Sequence, residues 1–168
     1  EFRADGQTYS VGYLPAESDS PMFGGNSNWR GPVGVPLNLL IVRAILQLDS
    51  YFGSSFTVEC PTGSGVHLTL FEVADEIGRR LESLFLRDGS GRRPIYGGDA
   101  RYQSHPLWRD LLLFHEYFGG DDGAGLGASH QTGWTGIVAR VIQMRGHLDA
   151  ESLRRDGLRA SADFRGPI

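Results

Sequence analysis

Between Pro36 and Phe52 the apolar residues Leu37, Leu40, Ile41, Ala44, Ile45, Leu48 and Phe52 recur at the spacing of a helix stripe, and Gly53 follows as a terminator. No strand can keep those side chains on one face. The same spacing returns over residues 66–87 through Leu70, Val73, Ala74, Ile77, Leu81, Leu84 and Phe85, stopping at Asp88-Gly89. A third helix is expected from Pro106, through Leu107, Trp108, Leu111, Leu112, His115 and Phe118, to the stop at Gly119-Gly120. A fourth is expected from Thr132 to His147, with Trp134, Ile137, Val138, Val141 and Ile142 on one side. Together they predict an all-α chain, loop-rich over residues 1–34, helical over 35–150, with a tail over 151–168 that adds a short helix. Phe56-Thr57-Val58-Glu59 reads as a short extended piece, closed by the turn residues Pro61 to Gly65. The Gly, Pro, Ser and Asn of residues 1–34 carry no sustained period, and so long a loop is expected to be functional or part of something larger.

Composition excludes more than it assigns. With 168 residues and 40% hydrophobic content there is enough apolar surface for one sizeable core. A net charge of -4, with the paired arginines scattered among acids, offers no cationic face for nucleic acid. One cysteine, Cys60, rules out an internal disulfide, and no Cys and His cluster has zinc-ligand spacing, so no metal or other cofactor is expected. No stretch is read as approaching the ~18 apolar residues of a membrane helix. The first residues lack signal-peptide character and an initiator methionine, so the chain is expected to begin mid-protein or after processing, in a reducing, cytoplasmic setting.

Gly123-Ala124-Gly125-Leu126-Gly127-Ala128 matches a dinucleotide-binding fingerprint, with Asp149 about twenty residues on. That fingerprint needs a strand before it, where helical spacing is read, and Asp121-Asp122 would repel a pyrophosphate. Calcium fits no better, since Asp121-Asp122-Gly123 lacks the spaced oxygen ligands of an EF-hand loop. Glu116 falls in the last turn of the expected third helix, where the macrodipole disfavours a carboxylate by ~0.3–1 kcal/mol. A carboxylate so placed is a stronger base, suited to activating water, or a surface Glu that tolerates its position.

Read together, Asn26-Ser27-Asn28-Trp29-Arg30-Gly31-Pro32, Glu59-Cys60-Pro61-Thr62-Gly63-Ser64-Gly65, Phe114-His115-Glu116-Tyr117-Phe118 and Gly127-Ala128-Ser129-His130-Gln131-Thr132-Gly133-Trp134-Thr135 form a pattern. It resembles the C-terminal part of glycoside hydrolase family 63, in the bacterial and fungal glucosidase-like branch, over residues 9–145. The resemblance implies the last four or five helices of an (α/α)6 barrel and inverting hydrolysis of an α-glucoside or related α-glycoside. It implies Glu116 as general base, with Trp29 and Arg30 bordering the sugar pocket and Trp134 as an apolar wall. His130 and Gln131 either bind sugar hydroxyls or brace the loop. The family's general acid matches no position here, so it and the rest of the catalytic domain are expected upstream. The alternative is a helical carbohydrate-binding or interaction module without catalysis.

Overall fold

The computed structural model describes residues 1–10, 12–16, 18–21 and 31–161. The chain is mostly helical, with three two-stranded antiparallel sheets among the described residues. It divides into two compact units that alternate along the sequence: Glu1–Gly34 with Leu84–Thr135, and Val35–Ser83 with Gly136–Ile168.

The second of these units is a helical cluster. Its elements are α1 (Val35–Phe52), α2 (Leu70–Ser83), α4 (Val138–His147) and α5 (Ala150–Asp156), with a hairpin of β3 (Thr57–Glu59) and β4 (His67–Thr69) between α1 and α2. α1 packs on α2 and α5, and α2 packs on α4. Val35, Leu39, Val42 and Leu46 meet Leu70, Ala74, Leu81, Val141, Met144 and Leu153 in the core. The start of α2 is fixed by a reciprocal cap. Glu72 N–H donates to Thr69 Oγ1 at 3.3 Å, while Thr69 N–H donates to the Glu72 carboxylate at 2.7 Å. The helix therefore begins at Leu70, and the residues before it, expected to be helical from 66, are β4.

Asp49 is fully buried on α1. Its carboxylate accepts from Phe71 N–H at 3.1 Å, in the first turn of α2, and from Arg154 of α5 at 3.0 and 3.1 Å. A negative charge at a helix N-terminus and a forked guanidinium compensate its desolvation together. By length and composition α1 is also apolar enough to cross a membrane, which corrects the expectation that no stretch approaches a span. One of its faces is nonetheless the core of this unit and carries an ion-paired Asp.

In the other unit β1 (Phe2–Ala4) pairs with β2 (Gln7–Tyr9), α3 (Ala100–Ser104) is a single short helix, and β5 (Tyr117–Phe118) pairs with β6 (Gly125–Leu126). Its core holds Phe85, Ile95, Tyr96 and Phe118, with the Phe85 and Phe118 rings edge to face at 5.7 Å. Helix 106–118 does not form. α3 stops before Pro106, turns follow around His105 to Leu111, and the chain then runs extended to β5. A short run such as Leu111-Leu112-Leu113-Phe114 satisfies either period, and long-range pairing decides it. The fourth helix is likewise shorter than expected, with a 3-10 turn at Thr135–Ile137 leading into α4.

Candidate functional site

The segment 114–118 is held by backbone pairing on both sides. Val33 and Phe118 exchange hydrogen bonds at 2.8 and 3.0 Å. Glu116 N–H donates to Ala128 O at 2.9 Å, and Gln131 N–H donates to Phe114 O at 2.7 Å, beside a parallel bridge between Phe114 and His130. Between these rungs the loop Gly119–Ala124 closes the β5–β6 hairpin, with Asp122 accepting from Ala124 N–H at 2.9 Å.

Glu116 is exposed, at a bend rather than a helix end, so no macrodipole acts on it. One carboxylate oxygen, Oε2, accepts from Ala128 N–H at 3.3 Å. Oε1 takes no hydrogen bond among the described residues. Gly127, at φ +67°, is what permits this: a Cβ there would stand 2.8 Å from both Glu116 Oε2 and Tyr117 Cε1.

His130 and Gln131 are exposed on the strand-like segment paired with residues 114–116, and Trp134 is 44% exposed one turn later, its N–H donating to Gln131 O at 3.0 Å. Buried Thr135 anchors that turn by donating its hydroxyl to His115 O. Glu116, His130, Gln131 and Trp134 thus share one exposed ribbon. Trp29 and Arg30 lie outside the described residues. The residue after them, Gly31, runs so close to the hairpin loop that a Cβ on Gly120 would meet Gly31 O at 2.5 Å.

His115, next to the candidate base, turns inward. Its ring sits where a Cβ on Gly125 would be only 2.3 Å away and lies edge to face on Phe118 at 6.5 Å. Burial lowers its pKa, and buried Nδ1 has no hydrogen-bond partner among the described residues. It is held neutral, packed beneath the ribbon rather than displayed on it.

The sequence reading missed a polar hollow of about 390 Å³ lined by Asp88, Arg92, Arg93, Gln103 and Asp122, with Gly97 and Gly98 in its wall. Asp88 Oδ2 and Asp122 Oδ2 accept no hydrogen bond among the described residues. Arg93 donates to Phe85 O and pairs with no carboxylate among them. Two carboxylates and two guanidiniums balance, so the hollow suits a neutral ligand that both gives and takes hydrogen bonds. Only the Gly-rich, charged run Asp88 to Asp99 hinted at it in the sequence.

The loop geometry also removes the dinucleotide reading. Gly123 ends the loop of an antiparallel hairpin, Gly125 lies in its strand β6 and Gly127 follows it, where a pyrophosphate site needs a strand feeding a helix N-terminus. Among the described residues no group of three or more His, Cys, Asp and Glu could hold a metal ion.

No family model matches the chain. Nor does any solved structure. The chain is similar to a Saccharomyces cerevisiae protein named "Uncharacterized protein YMR196W", 54% identical over 144 residues, a match that takes in 84% of this chain but spans only 13% of the yeast protein's length.

Proposed function

We propose that this chain is part of an inverting α-glycoside hydrolase, with Glu116 as general base, the general acid outside these residues, and the helices forming one part of an (α/α)6 barrel. The observation that carries the reading is the setting of Glu116: an exposed carboxylate held through Oε2 by a backbone N–H, with Oε1 accepting nothing among the described residues, on a segment whose backbone pairs with the one carrying His130 and Gln131. A carboxylate fixed on one oxygen and open on the other can orient a water and take its proton. In an inverting enzyme that water attacks from the face opposite the acid, and the two carboxyl groups stand roughly 6.5–9.5 Å apart. Trp134 offers an apolar face for a sugar ring, and His130 and Gln131 offer hydrogen bonds to its hydroxyls.

The test is glucose release from a panel of α-glucosides by the full natural protein containing this chain, with and without Glu116→Gln. A loss of about 10²–10⁴-fold with the fold intact is expected. Undiminished turnover in the variant would refute the assignment.

The polar hollow favours one second reading, a carbohydrate-binding module without catalysis. The open acceptors Asp88 Oδ2 and Asp122 Oδ2, beside the guanidiniums of Arg92 and Arg93, match a polyol. Saturable binding of glucose or maltose, abolished by Asp122→Asn and unaffected by Glu116→Gln, together with no hydrolysis, is the outcome that reading requires.

A further inference from the structure

α1 carries two apolar faces, and only one of them is covered. The buried stripe is Val35, Leu39, Val42, Leu46 and Asp49. Leu37, Leu40, Ile41, Ala44, Leu48 and Tyr51 follow the spacing i, i+3, i+4, i+7, i+11, i+14, a second helical stripe on the opposite side, and all six are exposed. Leu40 is 64% and Tyr51 81% accessible. The residues between the stripes, Arg43 and Gln47 on one flank and Asn38 on the other, supply the polar edges. A helix that is hydrophobic on opposite sides belongs between two packed layers, and among the described residues no second layer covers this face.

Three occupants could cover it: a bilayer, a second copy of the chain, or further polypeptide of the same protein. A bilayer would have to accept a helix whose other face is committed to α2 and α5 and holds the charge pair of Asp49 and Arg154. A second copy needs nothing beyond these residues, but in the yeast relative the matching segment is a small part of a much longer polypeptide, most of which lies outside the match. A covalently attached layer competes at high effective concentration, which an intermolecular partner lacks.

We infer that the Leu37–Tyr51 face of α1 docks against an apolar helix from further polypeptide of the same protein, so that α1 is an interior helix of a larger helical layer. The occupant presents an aliphatic ridge of helical spacing, without charge opposite Leu40, Ala44 and Leu48. This rests on the packing of α1 alone and stands whatever Glu116 does.

The experiment is thiol labelling of the full natural protein, in a Cys60→Ser background, with Leu40→Cys and, as the milder change, Ala44→Cys. Folding is checked by circular dichroism, and each labelling rate with a maleimide is compared with that of the same variant in denaturant. Both positions are expected to react at least about tenfold more slowly in the native protein, at every protein concentration and without lipid. Native labelling at the denatured rate overturns the proposal. So does protection that disappears on dilution, which assigns the face to a second copy, or protection that appears only with phosphatidylcholine vesicles, which assigns it to a membrane. Glycosidase activity is not the readout, so failure here is separable from failure of the catalytic reading.

Discussion

Gly127 controls where Glu116 can be. Its φ of +67° already favours glycine, and a Cβ would press on the carboxylate it faces. Gly127→Ala is therefore expected to cost about 1–3 kcal/mol, read from urea unfolding, and on the proposed chemistry to lower turnover more than substrate binding, because it moves the base rather than the pocket wall. His115 makes a second residue-level prediction. Its folded pKa lies below the ordinary value, so above about pH 6.5 the ring is neutral in both states and its contribution is complete. As pH falls through that value the unfolded chain takes up a proton that the native ring resists, and stability is lost from about 6.5 downward to the folded pKa. Urea midpoints measured on either side of that window should converge in His115→Gln. An unchanged acid limb in that variant would mean that the ring is not desolvated. Glu116, His130, Gln131 and Trp134 were each legible in the sequence as candidates. The resemblance set them at one site, but the backbone rungs from Phe114 and Glu116 to Gln131 and Ala128 that join their segments leave no trace in periodicity. His115 and Phe118, expected on one helical stripe, do pack ring against ring, but on a segment that is not helical.

At the level of elements, α1 hangs on Asp49. The carboxylate has no exposure and satisfies both the N-terminal turn of α2 and the fork of Arg154. Removing one partner strands a charge, so Arg154→Met is expected to destabilise by about 3–5 kcal/mol in denaturant titrations. The double variant Asp49→Asn/Arg154→Met should recover much of that loss, and its failure to do so would show that Arg154 acts through packing instead. Periodicity located α1 to within a residue because its apolar stripe is long and Gly53 ends it. It misplaced the start of α2, although Thr69-Leu70-Phe71-Glu72 spells the reciprocal cap that sets the boundary. It failed over 106–118, where four exposed apolar residues, Leu107, Trp108, Leu111 and Leu112, mimic a core stripe. Spacing identifies which residues could share a face, and only tertiary pairing decides whether a helix presents them.

For the whole molecule, the mostly helical class was readable from spacing, and the three small hairpins were largely not, since strands of two or three residues carry too few side chains to show alternation. The division into two units was invisible too. No linker marks it, and the chain passes from one unit to the other after Gly34, after Ser83 and after Thr135. That threading has a consequence for how such a segment is made and inherited. No single cut releases either unit whole: any break leaves at least one as two strips of polypeptide that must find each other. During synthesis, the first unit waits for residues near 135 and the second for those beyond them, so both remain unfinished until nearly the entire segment has left the ribosome. A recombination event that moved one without the other would carry away half of a fold, which makes the segment indivisible as an evolutionary unit.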